Sequence, residues 1–326
     1  MLKTCLLIVG SVMASIEVSL AAGFVETFDT NPAQNGWQSF GNSNLFVWNS
    51  SEKYLNVTWD SSNSNSYFYK PLGTTLTRQH RFGFSFDLYL TNVAVGTTPD
   101  KPFSFELAIG LINFTNATAS NFIRGTGIDS PNIVELDYFP DSGFGATISP
   151  TIISANNEWA TSFNFPIELN TNVLFRVNID FDPDIGKLST TITSNGAPFE
   201  SIDDVVLDAD FSDFFVDTLA ICSYSDAGQD PMWSGSITAK GFVDNISFYY
   251  TPVVAPQLSI NKGTDNQWEI TFESQSSWKY SLERSCDLIN WSAITPSTPG
   301  NDGTMTFYSQ VDGSEHTFFR VKAEKP

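Results

Sequence analysis

The chain has 326 residues, with 36 acidic against 16 basic side chains and a formal net charge of -20. A field of that sign repels nucleic acid and anionic lipid, so it excludes a nucleic-acid partner and favours neutral ligands, divalent cations or simple solubility outside the cell. Three cysteines exclude a disulfide framework, and two histidines, His80 and His316, exclude a multi-histidine metal centre.

The chain begins with a pattern typical of a signal peptide. Residues 1–22, MLKTCLLIVGSVMASIEVSLAA, combine a basic Lys3, an apolar stretch, and small residues at Ser19 and Ala21. No later apolar run approaches the roughly 20 residues of a membrane-spanning helix. We therefore expect an exported protein without a membrane span, either secreted or held at the cell surface.

Strand patterns dominate the region from residue 23 to residue 250. Apolar residues alternate with polar or small ones in RFGFSFDLYL, FSFELAI and VLFRVNIDF, and Asn, Ser, Gly and Asp clusters separate such runs. No long stretch has the helical period. The pattern predicts an all-β sandwich. The same region carries most of the negative charge of the chain, with 26 acidic against 9 basic residues between residues 23 and 253.

The segment NIVELDYFPDSG, residues 132–143, contains the most informative acids. Glu135 and Asp137 are two apart in a predicted strand, so both carboxylates point to one face, and Asp141 follows just past Pro140. The spacing alone leaves three interpretations open, namely catalysts, metal ligands and surface charge.

The run VELDYFP resembles the strand VELDTYPN of legume-type lectins, which holds a transition metal and calcium. The resemblance implies four calcium ligands: Glu135, Asp137, the Phe139 carbonyl and Asp141. Oxygen ligands of this kind suit Ca²⁺. The family's further Asp and His correspond to Ala146 and Thr151 here, so we expect one calcium, or none, in place of the two-metal site.

The same strand resembles the catalytic E-x-D-x-x-E of family 16 glycoside hydrolases, which share the concanavalin A-like jelly roll. This resemblance implies Glu135 as a nucleophile and Asp137 as its modulator. The motif's third acid falls where this chain has Phe139 and Pro140. We therefore expect a calcium-stabilised, lectin-like protein that binds a polysaccharide or other glycan without catalysis. A glycan hydrolase or lyase is the alternative, and a surface structural protein that binds nothing small is a third possibility.

The loop SYSDAGQDPMW, residues 223–233, is the best candidate for direct ligand contacts. Asp226, Gln229 and Asp230 could bind sugar hydroxyls beside the flat face of Trp233. The alternative is a surface turn with an Asp as its cap. Other aromatic candidates more often belong to a core: Trp37, Trp48, Trp59, Tyr67 and Tyr69.

Two further acids occur on apolar faces of the first and last predicted strands. Glu26 shares a face with Phe24 in GFVETF, and Asp244 shares one with Ile246 and Phe248 in GFVDNISFYY. A buried carboxylate must be paired, neutralised or bound to a metal. The second run also resembles the closing VDYVRVY strand of family 16, whose Asp helps bind calcium. We therefore expect a structural Ca²⁺ shared by Glu26 and Asp244. The alternative is a bulge that turns one of these two side chains outward.

The end of the chain predicts a second, smaller domain. YYTPVVAPQ contains two prolines and no charge, which suits a linker over residues 251–257 between domains at 23–250 and 258–326. Four strand patterns follow and predict a small β-sandwich. Its YSLERSCDLINW and FFRV resemble C-terminal modules of exported bacterial proteins, which implies cell-surface attachment. Cys222 and Cys286 fall in different domains and are expected to be buried thiols.

Overall fold

The computed structural model describes residues 22–125, 129–252, 258–263, 267–276, 278–310 and 317–324. The expected signal peptide, apart from Ala22, lies outside the described residues, as do His316 and most of the predicted linker. Within the part of the chain that is described, we find no helix with the length and apolar character needed to cross a membrane.

Sixteen strands are found between residues 22 and 251. They are β1 (Ala22–Glu26), β2 (Gln38–Phe40), β3 (Phe46–Asn49), β4 (Tyr54–Asp60), β5 (Ser66–Leu76), β6 (Arg81–Val95), β7 (Leu107–Ile112), β8 (Ile133–Phe139), β9 (Thr147–Ile153), β10 (Trp159–Thr161), β11 (Leu174–Asp182), β12 (Lys187–Ser194), β13 (Ala197–Pro198), β14 (Val205–Val206), β15 (Val216–Ser223) and β16 (Ile237–Thr251). The helices of the described residues are all short: α1 (Phe114–Ala117) and three 3-10 helices, Pro32–Asn35, Ser43–Leu45 and Pro231–Trp233.

These strands form two antiparallel sheets. The nine-stranded sheet has the order β13-β12-β11-β6-β16-β4-β3, with β1 also paired to β16 and β14 to β12. The seven-stranded sheet has the order β10-β9-β8-β7-β15-β5-β2. One hydrophobic cluster contains residues of both sheets, as expected when two amphipathic sheets bury their apolar faces together. The predicted all-β sandwich is confirmed.

The strands with clear alternation fold as predicted. In β11, residues Phe175, Val177, Ile179 and Phe181 are buried, and β11 pairs with the similarly alternating β6. The prediction for FSFELAI is wrong in detail, because β7 starts only at Leu107 and all six of its residues are buried. Phe103 therefore precedes the strand instead of belonging to its core face.

The first and last strands of this unit are neighbours, and a bulge lies next to Asp244 in the last strand. β1 pairs with β16 so that Glu26 lies opposite Ile246. The register of β16 against β6 shifts between Asp244 and Ser247, and Asn245 has a positive φ of 47°. A bulge reverses the alternation, so Ile246 is buried while Asp244 is half-exposed. The predicted shared face of Asp244 and Ile246 is therefore wrong.

The centre of the seven-stranded sheet has two different faces. Leu136 on β8 lies beside Ile109 on β7 and belongs to the aliphatic core. On the opposite face Glu135 lies between Gly110 and Thr151. A Cβ on Gly110 would lie 2.4 Å from the Cα and Cβ of Glu135, so only glycine fits this close approach. This opposite face, called the polar face below, positions the site.

Seven further strands lie between residues 259 and 324. They are β17 (Ser259–Lys262), β18 (Gln267–Glu273), β19 (Lys279–Ser285), β20 (Ser292–Ala293), β21 (Thr298–Pro299), β22 (Thr304–Gln310) and β23 (Phe318–Glu324). One sheet has the order β17-β18-β22, and in the other β19 pairs with β20, β21 and β23. They share a hydrophobic cluster of their own, which includes Ile270, Leu282 and Phe307. The predicted small sandwich is present, and the exact domain boundaries stay a prediction.

The two cysteines among the described residues differ in environment. Both are free thiols; Cys222 is buried and Cys286 is exposed. The expectation of two buried thiols is therefore wrong for Cys286, which follows β19 directly and lies in a turn.

Candidate functional site

A cavity of about 530 Å³ opens over the polar face of the seven-stranded sheet. Asp137 on β8 and Ser149 and Thr151 on β9 contribute to its lining, and Glu106 and Arg124 reach it from the segments before β7 and β8. The small side chains of Gly110 and Ala108 beside Glu135 and Asp137 leave room for these larger groups. We call this cavity the cleft.

Arg124 is the centre of a buried charge cluster in the cleft. Its Nε donates to Glu135 Oε1 at 2.7 Å and its Nη2 donates to Asp137 Oδ2 at 2.8 Å. Its Nε also lies 3.3 Å from Glu106 Oε1. All four side chains are at most 2 % exposed. A guanidinium removed from water in this way needs opposite charges nearby, and three carboxyl groups supply them.

Neighbouring side chains fix the orientation of the cluster. The Tyr224 hydroxyl donates to Glu135 Oε2 at 2.8 Å, and Thr151 Oγ1 donates to Asp137 Oδ2 at 2.8 Å. The Arg124 guanidinium carbon lies 5.3 Å from the centre of the Trp159 ring and 5.8 Å from that of Tyr224. These aromatic faces add an attraction for the cation.

Burial gives the carboxyl groups of the cluster unusual proton affinities. It is the main cause that raises the pKa of Glu135 to about 8, helped by the charge of Asp137 and opposed by Arg124 and Tyr224. Burial likewise raises the pKa of Glu106 and of Asp137, again against the effect of Arg124. The three groups titrate together, so at neutral pH the cluster retains protons that free carboxyl groups would release.

Two oxygen atoms of the cluster accept no hydrogen bond from an N–H group or a hydroxyl group of the described residues. They are Glu106 Oε1 and Asp137 Oδ1. Glu106 Oε1 is close to Arg124 Nε, but the geometry is that of an ion pair without a hydrogen bond. Both residues line the cleft. Buried polar atoms are seldom left without partners, so a proton retained by a neighbouring carboxyl group, a ligand or a water supplies the donors there.

Aromatic side chains form the walls of the cleft. Six of them are 38–64 % exposed: Phe103, Phe144, Trp159, Phe163, Phe165 and Trp233. They come from loops and strand ends around the polar face, and the Phe144 and Phe165 rings contact each other with centres 5.7 Å apart. Exposed apolar groups gathered in one cavity are unusual on a monomer surface and mark a binding site.

The residues expected to bind calcium in VELDYFP do not fit that ion. The guanidinium of Arg124 lies where the carboxylates of Glu135 and Asp137 converge and uses their oxygens. Asp141 is engaged in a turn, where its Oδ1 accepts from the Gly143 amide at 3.0 Å, and Phe139 is a half-buried cleft residue. Within the described residues, no three His, Cys, Asp or Glu side chains gather as metal ligands.

Glu26 and Asp244 also satisfy their carboxylates without an ion. Glu26 is buried and accepts from the Phe28 amide at 2.8 Å and from Asn35 Nδ2 at 2.9 Å. Asp244 accepts from the Asn245 amide at 2.7 Å. Burial, followed by the charges of neighbouring acids, raises the pKa of Asp244.

The structure divides the four ligand candidates of residues 223–233 into two pairs. Gln229 and Trp233 line the cleft. Asp226 is buried in an ion pair with Lys101 Nζ at 2.5 Å, and Asp230 caps the 3-10 helix by accepting from the Met232 amide at 2.8 Å. The second pair thus has structural contacts, in the way the alternative interpretation of this loop describes.

Sequence reasoning missed Glu106, Arg124 and the aromatic residues of the β8–β9 and β10–β11 connections. Glu106 could have been found, because in FSFELAIG it has the same parity as Ala108 and Gly110, and an acid next to small residues leaves room for a partner. Arg124 gave no signal, since it lies in an irregular segment whose burial depends on tertiary contacts.

Comparisons with known proteins show similarity in fold. No family model matches the chain, and no curated protein matches its sequence. Among solved structures it is similar to peanut lectin with a nine-residue peptide, at 11% identity and a TM-score of 0.46 over 72% of this chain and 99% of that one. It is also similar to a Lotus tetragonolobus seed lectin, at 12% identity and a TM-score of 0.41 over 71% of this chain and 98% of that one. The exoplasmic/lumenal domain of VIP36, in its Ca²⁺/Man3GlcNAc-bound form, is similar at 9% identity and a TM-score of 0.39 over 70% of this chain and 88% of that one. These lectins are what the larger unit is similar to, and its ligand has to be argued from its own residues.

Proposed function

We propose that the larger unit binds a glycan chain in the cleft without cleaving it. The observation that carries this proposal is the combination of six exposed aromatic side chains with a polar floor in one cavity. Sugar rings have flat apolar faces and a rim of hydroxyl groups, so they suit a site whose walls are aromatic and whose floor offers hydrogen bonds.

The polar groups of the floor suit hydroxyl groups of a sugar. Ser149, Thr151 and Gln229 lie among the lining residues, and the free oxygens of Glu106 and Asp137 can each accept a hydrogen bond. A cavity of about 530 Å³ falls within the range of small-ligand sites and has room for a few sugar rings.

Binding without cleavage is favoured because Glu135 has no access to a ligand. Its side chain is fully buried beneath Arg124 and Tyr224 and does not line the cleft. A retaining glycosidase needs its nucleophile and its acid on either side of the scissile bond. The alternative, a glycan hydrolase or lyase, is supported by Glu106 and Asp137, which both line the cleft and have raised pKa values suited to a general acid.

The proposal leaves calcium out of the binding mechanism. Arg124 supplies the positive charge that calcium would supply at Glu135 and Asp137, and amide groups satisfy Glu26 and Asp244. Ligand binding is therefore expected to be insensitive to chelators.

We include export and surface attachment in the proposal. The leader pattern of residues 1–22 supports export, and the separate hydrophobic cluster of the smaller unit supports an additional module. Fractionation of cells that express the chain with and without residues 258–326 tests both. The full chain should be found at the surface, and the shortened one in the medium.

Binding is tested by affinity electrophoresis of the mature chain in gels that contain different polysaccharides. Trp233→Ala and Phe163→Ala should abolish the retardation, because both rings are more than half exposed and their loss leaves the core intact. Phe215→Ala is the matched control, since this exposed ring does not line the cleft. Equal retardation of all three variants would contradict the proposal.

Catalysis is tested on the polysaccharides that bind. New reducing ends or unsaturated products that disappear in Glu106→Gln would establish the alternative and replace the non-catalytic proposal. Binding with no product after prolonged incubation is the expected result.

A further inference from the structure

The charges of the cleft favour a cationic ligand over an anionic one. Three carboxyl groups meet one guanidinium at its floor, and Arg124 is the only basic side chain among the described residues that line it. The surrounding region adds to this bias, with 26 acidic against 9 basic residues between positions 23 and 253. An anionic glycan would meet repulsion both on approach and in the site.

The two free oxygens indicate where a cationic group would lie. Glu106 Oε1 and Asp137 Oδ1 accept no hydrogen bond from an N–H group or a hydroxyl group of the described residues, and both side chains are buried in the wall of the cleft. An ammonium group carries three donors and no acceptor. It can therefore satisfy both oxygens, and charge-assisted hydrogen bonds of this kind are stronger than those from a hydroxyl group.

The aromatic walls provide the second half of such a site. Trp159 lies 5.3 Å from the Arg124 guanidinium and is 38 % exposed, so its ring already contacts one cation and still faces the cleft. The other exposed rings of the cleft offer similar faces. An aromatic face attracts a cation most strongly where water is excluded.

We infer that the cleft selects glycans that carry protonated amino groups, such as oligomers of glucosamine. The inference rests on the proposed function and names the class of glycan. An amino sugar places its ammonium group at the oxygens of Glu106 and Asp137 and its ring faces against the aromatic walls. When the cation binds, the carboxyl groups ionise and their protons pass to the buffer, so binding is coupled to proton release.

The first experiment compares ligands by calorimetry with the full mature chain, at about pH 5.5, where amino groups are protonated. Oligomers of glucosamine and of N-acetylglucosamine with equal length differ in charge and share the ring. We expect the glucosamine oligomer to bind about tenfold more tightly, with an advantage that shrinks as salt is added.

The outcomes separate this inference from the proposed function. Equal affinity for the two oligomers, or tight binding of a uronic acid oligomer, overturns the selectivity and leaves glycan binding standing. If 1,4-diaminobutane binds as tightly as the glucosamine oligomer, the sugar rings do not contribute to binding. If no oligomer binds, including a neutral one of glucose, both the proposed function and this inference fail.

The second experiment assigns the selectivity to the floor. Glu106→Gln should reduce the preference for glucosamine over N-acetylglucosamine to about twofold or less, while Glu200→Gln, an exposed acid outside the cleft, should leave it unchanged. If Glu106→Gln fails to fold, calorimetry of the wild type in two buffers with different ionisation enthalpies still tests the inference, because it measures the protons released on binding. Proton release with glucosamine and none with N-acetylglucosamine is expected, and its absence contradicts the inference.

Discussion

Replacing Arg124 by methionine tests the buried cluster most directly. The variant keeps an unbranched side chain of similar length but leaves three carboxyl groups, those of Glu106, Glu135 and Asp137, without their cation. Removing one partner of a buried ion pair costs about 3–5 kcal/mol. For a unit of this size each kcal/mol lowers the midpoint of thermal unfolding by about 2–4 °C, so a loss of at least about 6 °C is expected near pH 8.

The cost should depend on pH with a definite sign. The pKa of Glu135 in the folded chain, about 8, is well above the ordinary value of a glutamate, so the folded state holds the extra proton. That contribution to stability is complete below the unfolded pKa and is lost as the pH rises through 8. Arg124 opposes the rise in the carboxyl pKa values, and without it they rise further. The penalty should therefore be smaller at pH 5 than at pH 8, by at least about 1 kcal/mol.

Scanning calorimetry of residues 23–326 at both pH values measures this effect. Arg81→Met is the matched control, because Arg81 pairs with Asp182 and Asp184 at the surface and such pairs contribute less than about 1 kcal/mol. A loss for Arg124→Met below about 1 kcal/mol at pH 8, or an equal loss at both pH values, would refute the reasoning.

Three further predictions follow from the same site. Glu135→Gln should flatten the fall in stability between pH 5 and pH 8, because the group that holds the extra proton is gone; an unchanged pH profile of the unfolding midpoint would place that proton elsewhere. Gly110→Ala should destabilise the chain by about 1–3 kcal/mol in urea titrations, since its Cβ would lie 2.4 Å from Glu135, and a neutral effect would show that the two strands are further apart. Calcium should leave the unfolding midpoint of the wild type unchanged but raise that of Arg124→Ala, in which three carboxyl groups face a vacated space. If calcium instead raises the midpoint of the wild type, and Asp244→Ala removes that response, the ion binds at the site expected at Glu26 and Asp244.

The sequence predicts the sandwich well where one face of a strand is apolar. β6 and β11 show this alternation, and both fold as expected. Where both faces are buried, as in β7, alternation no longer tells which residues face the core, and the strand boundary was misplaced. Asp244 shows a second limit, because one extra residue in a bulge reverses the parity of everything beyond it.

The candidate site divides along similar lines. Glu135 and Asp137 could be selected from their spacing in a strand, and Trp233 from its polar neighbours. Arg124 could not, because its position depends on how the segment between α1 and β8 crosses the polar face. The phenylalanines at 144, 163 and 165 could not either, since composition alone does not show that loop aromatics converge on one cavity.

The difference between a metal ion and a guanidinium explains how the cluster can serve both stability and binding. A calcium ion takes six to eight oxygen ligands and would draw the carboxylate oxygens of the cluster toward itself. Arg124 donates to Glu135 and Asp137 in fixed directions, so the remaining oxygen of Asp137 and one oxygen of Glu106 stay without donors at the wall of the cleft. The same residue that neutralises the buried acids thereby leaves the acceptors that a cationic sugar would use. Arg124→Met should accordingly weaken binding of a glucosamine oligomer less than Glu106→Gln does at a temperature where both variants are folded, and the reverse order would show that the guanidinium itself contacts the ligand.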